Sequence, residues 1–331
     1  LEKDGDIIQI QSKGGVEMKT EDYVVVVGGL NLDLAGLSGE VYREKDSNIG
    51  DIQMTVGGVG QNIAQNLTKL NVPTYLVGVY GDDYFGKILS DQCKTHNIKL
   101  DYAECIPNAK SSIYLYVTDN QGDMVTAVND MKITEYMTPE FFEKRIDFIN
   151  EASICVIDGN VPKESIEWLV SHCAVPIFVD PVSITKVDRF ENVLNKIDTF
   201  KPNELEAGFL TGIDIVDEET AKEAAKILNQ KGVKNVFISM GSKGILCSTE
   251  EEVDCVPILP SHIVSVNGAG DCSMATIIWE RFWYGNKLPL IKIGQLAQAA
   301  SSLTVEVAQS VSPELNIKNI EERAKKYLKE V

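Results

Sequence analysis

The run Tyr23-Val24-Val25-Val26-Val27-Gly28 leaves neither side of a strand polar. Such a strand has to be covered on both faces. The same writing recurs at Thr74–Val79, Ser153–Ile157, Pro176–Val179, Thr199–Lys201 and Val236–Met240. Between these runs, Asn62–Leu70, Lys163–His172, Thr220–Lys231 and Cys272–Tyr284 carry apolar residues at helical spacing. Near-continuous apolar strands alternating with helices predict an α/β body, a mostly parallel sheet between two helical layers. With 331 residues, 44% of them apolar, the chain can bury the core of one large domain or two modest ones.

Two segments break the rhythm. Asp33–Val56 and Ser111–Asp130 alternate polar and apolar residues, as in Ile113-Tyr114-Leu115-Tyr116-Val117 ahead of the turn Asp119-Asn120-Gln121-Gly122. That is hairpin writing, and it predicts a small antiparallel β flap standing off the body. A flap cannot bury both its faces alone, so it closes over a ligand, pairs with a second copy, or does both. Residues 1–22 are polar and read as an appendage, the remnant of a small N-terminal module. Residues 23–331 read as the body with its flap.

Charge narrows the partners. Thirty-one basic against 49 acidic residues give a net charge of −18, and Lys and Arg are scattered, which argues against nucleic acid. A phosphorylated ligand stays open, because backbone amides hold phosphate without side-chain charge. No apolar stretch approaches the ~18 residues of a membrane span, and no signal peptide is visible. Seven cysteines without C-x-x-C spacing, Cys155 and Cys247 among them in apolar runs, read as reduced thiols of a cytoplasmic protein. Three histidines without metal spacing argue against zinc.

Four motifs carry chemistry. Gly268-Ala269-Gly270-Asp271 opens the helical run from Cys272. Small residues let the backbone approach a ligand, and the helix aims its amides and positive end at the turn. A carboxylate there repels phosphate, but serves as a base toward a hydroxyl that attacks a phosphoryl group; alone, it reads first as a helix-terminal charge or cap, and the partner motifs change that. Lys201-Pro202-Asn203-Glu204-Leu205-Glu206 puts Asn203 and Glu206 on one face of a helix start, as ligands of hydrated Mg²⁺ or as a capping box. Ser239-Met240-Gly241-Ser242-Lys243-Gly244 follows an apolar strand, where a hydroxyl and glycines suit a nucleotide phosphate, or make an ordinary turn. In the N-terminal part, Asn31 and Asp33 follow the first strand and Gly57-Gly58-Val59-Gly60-Gln61-Asn62 precedes a helix. Asp33 can accept from sugar hydroxyls and Asn62 can donate and accept. Two look-alikes are set aside. Gly81–Lys87 has P-loop spacing but is followed by Ile88, so it lacks the metal-binding hydroxyl. The Gly28 turn lacks the third glycine of a dinucleotide fingerprint.

In this order the motifs resemble the ribokinase-like (PfkB) family of carbohydrate kinases, over about Tyr23 to Lys325. Gly57–Asn62 and Gly268–Asp271 match its two signatures, Lys201–Glu206 its N-x-x-E motif and Gly81–Gly86 its G-D segment. Asp46-Ser47-Asn48, Gly57–Leu67, Val128-Asn129-Asp130-Met131 and Val179-Asp180-Pro181-Val182-Ser183 are similar to the pseudouridine kinases within it.

The resemblance implies a ribokinase-like three-layer α/β/α body with a β lid, and a role for each matching position. Asp271 would be the base for the attacking 5′-hydroxyl, with Gly268, Ala269 and Gly270 supplying amides around the moving phosphoryl group. Asn203 and Glu206 would organise magnesium, and Ser239, Gly241 and Gly244 would line the ATP site with Asn203. Asn31, Asp33, Gly57, Gly58 and Asn62 would hold the ribose. Asn160 stands where some members place a sugar-contacting carboxylate, and Asn129 would read the uracil edge. Where many members have Asp-Thr-Thr before the anion hole, this chain has Ser265-Val266-Asn267, so either potassium activation is lost or a K⁺ ion would rest on backbone carbonyls alone. The expected activity is ATP-dependent phosphorylation of pseudouridine in the cytoplasm, by a homodimer joined through the lid. The rivals are a kinase for ribose, adenosine or a fructose phosphate, and a ligand sensor on a kinase scaffold.

Overall fold

The computed structural model describes residues 22–285 and 287–328; apart from Asp22, the predicted N-terminal appendage lies outside them. In chain order the strands are β1 (Val24–Val27), β2 (Asn31–Ser38), β3 (Gly50–Gly57), β4 (Thr74–Val77), β5 (Val79–Gly81), β6 (Glu104–Ile106), β7 (Ser112–Thr118), β8 (Met124–Asp130), β9 (Ile154–Asp158), β10 (Ile177–Asp180), β11 (Thr199–Phe200), β12 (Asn235–Ser239), β13 (Ile245–Ser248) and β14 (Val253–Val256). The α-helices are α1 (Val59–Lys69), α2 (Tyr84–Thr95), α3 (Pro139–Glu143), α4 (Ile146–Glu151), α5 (Lys163–His172), α6 (Glu204–Thr211), α7 (Glu218–Gln230), α8 (Ala269–Tyr284), α9 (Leu290–Thr304) and α10 (Ile317–Ala324).

Eight strands form the main sheet in the order β14-β13-β12-β11-β10-β9-β1-β4. All neighbours are parallel from β12 through β4, and β13 runs antiparallel between β12 and β14. The valines of β1 show why the body is three-layered. Val24 and Val26 pack with α1, α8 and α9 on one face, while Val25 and Val27 pack with α5 and α7 on the other. All four are fully buried. The run read as Thr74–Val79 divides at Gly78 into β4 and β5, and β5 leaves the main sheet to pair with β6.

The second sheet has the order β3-β2-β7-β8. Both flap segments are in it, but β2 and β7 pair in parallel, so only the outer pairs are antiparallel. Its root packs on the body through Leu32, Leu34 and Val56. Its far end stands clear, since every residue of β8 and the first six of β3 are exposed. The seven cysteines are unpaired thiols, Cys155 and Cys247 buried. Among the described residues no helix is long and apolar enough to cross a membrane.

One buried carboxyl works against this core. Glu280 on α8 is 1% exposed and neither oxygen has a hydrogen-bond partner among the described residues. Burial raises it from 4.5 to about 7, against the pull of Arg281. As pH climbs between those values, the unfolded chain releases a proton that the folded protein keeps, so stability falls and then levels off. Glu280→Gln is therefore expected to stabilise the protein by ~1–3 kcal/mol at pH 8 and by little at pH 5, read as the shift in urea midpoint.

Candidate active site

Gly268 sits at φ 77°, and a Cβ there would collide with the Ser310 carbonyl. Glycine alone makes that turn cheaply. It starts α8, whose first turn has no side-chain cap, so the helix presents amides and the positive end of its dipole. Asp271 is the third residue of this helix and 8% exposed. Its Oδ2 accepts a hydrogen bond from Asn62 Nδ2 at 2.8 Å. Burial first, and then the Asp180 carboxylate, push its carboxyl up to about 7, against Asn62 and Lys201. A carboxyl group that ionises near neutrality at an uncapped helix start suits a general base.

Lys201 follows β11 and is 4% exposed. Its Nζ lies 3.2 Å from Asp180 Oδ2, and a Cβ on Gly270 would stand 3.5 Å from that ammonium. Burial pulls the Lys201 ammonium down, but Asp180, Glu206 and Asp271 hold it above its ordinary value. A fixed positive charge thus stands beside the first turn of α8.

Asn203 and Glu206 form the capping box. Glu206 N–H donates to Asn203 Oδ1 at 2.9 Å, and Asn203 N–H donates to Glu206 Oε2 at 2.7 Å. Burial, aided by Asp180, raises Glu206 to about 7, against the Asn203 amide and Lys201. A hard cation fits such a carboxylate, because binding restores the charge that burial suppresses. Ser239 lies beside Asn203, its N–H donating to the Pro202 carbonyl at 2.9 Å. The Gly241–Gly244 turn is tied to α6 through Lys243, whose Nζ is 2.8 Å from Glu204 Oε1. The two predicted nucleotide segments are therefore neighbours at the C-terminal ends of β11 and β12.

On the flap, cross-strand register sorts the residues by face. Asp33 pairs with Thr55 on one side and Tyr114 on the other, and Tyr114 pairs with Asn129. Paired residues share a face, so Asp33, Tyr114 and Asn129 form one row. Asn31 Nδ2 donates to Asp33 Oδ1, and Gly57 and Gly58 lie against the Asp33 and Asn31 side chains. Burial raises Asp33 to about 6, with the Asn31 bond opposing. The ring of Tyr116 lies 5.7 Å from that of Tyr114.

Asn160 is 3% exposed, its Oδ1 accepting from Lys186 Nζ at 2.6 Å and its Nδ2 donating to Asp158 at 3.0 Å. The set-aside Gly81–Lys87 segment is a joint. Asp83 caps α2 by accepting from Gly86 N–H at 2.8 Å, and accepts from Ser111 Oγ at 2.7 Å at the foot of β7. A cavity of about 490 Å³ lined by Asp198, Lys234, Glu251 and Arg281 opens at the other end of the sheet. Asp198 pairs there with both Lys234 and Arg281. Lys201, Asp180, Asp158 and Tyr114 are the residues that the motif reading gave no role. A shared position, the last or next residue of a buried strand, marks the first three.

Fold and site together define a phosphotransferase acting on an alcohol group, with a carboxylate at a helix N-terminus and a β lid. The chain belongs to the pfkB family of carbohydrate kinases, which matches residues 21–316. It is 36% identical over 306 residues to pseudouridine kinase of Escherichia coli (strain K12), covering 92% of this chain and 96% of that one. It is 23% identical over 300 residues to guanosine-inosine kinase of Exiguobacterium acetylicum, covering 88% and 97%. Arabidopsis thaliana ribokinase, solved with ribose and ATP, superposes with a TM-score of 0.80 at 23% identity, covering 92% of this chain and 99% of that one.

Proposed function

We propose that the chain transfers the γ-phosphoryl group of ATP to the 5′-hydroxyl of pseudouridine, giving pseudouridine 5′-phosphate and ADP. The carrying observation is the Asn62–Asp271 bond, which fixes the carboxylate at the open start of α8. Asp271 takes the hydroxyl proton, and the oxygen attacks the γ-phosphorus in line as the bond to ADP breaks. The amides of Gly268, Ala269 and Gly270, with Lys201 beside them, face the charge that develops. Ser239, Gly241 and Gly244 line the nucleotide side, and Asn203 and Glu206 are the residues that would hold magnesium. Magnesium bound there would screen the phosphate charge.

Asn31, Asp33, Gly57, Gly58 and Asn62 hold the ribose, and Asn160 closes that side. The row Asp33–Tyr114–Asn129 supports a nucleoside acceptor, because an aromatic ring between a carboxylate and an amide offers a stacking surface and a hydrogen-bonding edge. The identity with the Escherichia coli enzyme supports pseudouridine in particular. The guanosine-inosine kinase and ribokinase likenesses support another ribosyl acceptor as the second reading. Turnover of pseudouridine, uridine, ribose, adenosine and inosine with Mg-ATP separates them. The expected result is a kcat/KM for pseudouridine at least ~10-fold above the others, since a site built on polar contacts rejects analogues lacking them. A higher value for inosine or ribose overturns the pseudouridine reading. The same assay in potassium and in tetramethylammonium salts tests the cation; equal rates reject a requirement.

The protein works in the cytoplasm as a homodimer joined by the lids. On the face away from Asp33, the rows Leu34–Met54, Leu34–Leu115, Leu115–Val128 and Gly36–Ile52 are apolar. Ile52 is 79% and Val128 60% exposed. A second copy laid on the same face covers this patch. Sedimentation is expected to give a dimer for the native protein and a monomer for Val128→Asp; a monomeric native protein removes this part of the proposal.

A further inference from the structure

Asp158, the last residue of β9, is fully buried and touches three segments far apart in sequence. Its Oδ2 accepts from the Gly29 N–H and the Gly60 N–H, both at 2.8 Å, and from Asn160 Nδ2 at 3.0 Å. Its Oδ1 accepts from the Asn160 N–H at 2.7 Å. The helix α1 has no side-chain cap from its own N-cap residue, Gly58. Its second N–H goes to Asp158 and its third to the Gly29 carbonyl at 3.2 Å. So one carboxylate from another strand caps α1 and ties it to the β1–β2 turn. Lys186 and Arg189 hold the β9–α5 loop around it, Lys186 Nζ on Asn160 Oδ1 at 2.6 Å and Arg189 on the Gly159 and Val161 carbonyls, both at 2.9 Å. A Cβ on Gly28 would collide with the Asp158 carboxylate, which shows how closely that turn is drawn in.

Each tied segment leads directly to a residue of the proposed acceptor site. Gly29 precedes Asn31 and Asp33, Gly60 precedes Asn62, and the third segment holds Asn160 itself. Asn62 in turn holds Asp271.

We propose that Asp158 is a positioning residue, whose carboxylate locks the β1–β2 turn, the first turn of α1 and the β9–α5 loop into one block that sets the acceptor against Asp271. This rests on the acceptor site proposed above. Asp158→Asn keeps the shape but not the bonding. With its oxygen turned to Gly29 and Gly60, its NH₂ group meets the Asn160 N–H, donor against donor.

The test compares wild type, Asp158→Asn and Lys186→Met on the full chain, using whichever alcohol of the acceptor panel wild type phosphorylates. Asp158→Asn is expected to raise the acceptor KM ~10-fold or more and lower kcat ~10-fold, with the KM for ATP within about twofold. The pH midpoint of kcat/KM is expected to fall, because a negative charge near Asp271 is lost. The groups facing Asp271 are Asp180, Lys201, Asn62 and Asp158, and the other three remain. Lys186→Met removes the bond to Asn160 and the positive charge acting on Asp158, and is expected to raise the acceptor KM about threefold with kcat nearly kept. Hydrogen exchange gives a readout without substrate: in Asp158→Asn the amides of Gly29, Gly60 and Asn160 are expected to lose protection together. If Asp158→Asn does not fold, Lys186→Met decides. An unchanged acceptor KM in every variant that folds overturns the proposal, as does loss of stability with KM values and pH midpoint unmoved. Failure of pseudouridine as acceptor shows in wild type and leaves this comparison intact.

Discussion

Asp271→Asn is expected to lower kcat by ~10²–10⁴ while the Kd for ATP stays within about threefold. The amide keeps the volume and can still meet Asn62, but it cannot take a proton. Its charge is also gone from a site with Asp180 and Lys201 close by. Because the carboxyl is raised to about 7, the active, ionised form builds up only as pH rises. In wild type kcat/KM should therefore climb tenfold per unit below about 7 and level off above it. Magnesium is kept saturating, so that Glu206, also raised to about 7, stays ionised. Asp271→Asn should abolish that step along with the rate. Rate against pH, with isothermal titration of ATP, reads both. Turnover near wild type, or a pH step that survives, removes Asp271 from the role of base.

The body was legible because its strands are buried on both faces, which writes them as β-branched runs. Position along the strand was less legible: the run Thr74–Val79 breaks at Gly78, where the chain leaves one sheet for another. On the flap, Ile113–Val117 announced alternation but not which of its residues share a face with Asp33. A shift of one residue would exchange Tyr114 for Leu115, and the register with Asp33 decides it.

The motif glycines and Asp271 stood out because short polar turns interrupt apolar writing. Lys201, Asp180 and Asp158 did not, because a lone charge after a strand looks like any loop residue. Strand order β11-β10-β9 brings these distant ends side by side, with Asp180 paired to Asp158 in register. Adjacency of that kind belongs to the topology and is absent from local spacing. Asn203 and Glu206 show a different limit. Capping and metal binding ask for the same residues at the same spacing, and the capping box they form is compatible with both roles.

Lys201→Met is expected to cost ~3–5 kcal/mol of stability at neutral pH, because it leaves Asp180 buried without its partner. For a chain of this size that is a fall in Tm of ~5 °C. Turnover should fall as well, for a separate reason. The ammonium near Gly270 helps keep Asp271 ionised and, in the proposed mechanism, faces the transferring group, so its loss moves the pH midpoint of kcat/KM above about 7. The deficit should then be larger at pH 7 than at pH 9. A second substitution separates the two effects. In Lys201→Met with Asp180→Asn the unpaired charge is gone, so much of the lost Tm should return. The rate at pH 9 should not return, since no positive charge has been restored beside the α8 amides, whereas the extra deficit at pH 7 should shrink, because the Asp180 charge, which raises Asp271, is gone too. If the double variant recovers both, Lys201 serves only to neutralise Asp180, and the charge facing the phosphoryl group has to come from the helix alone.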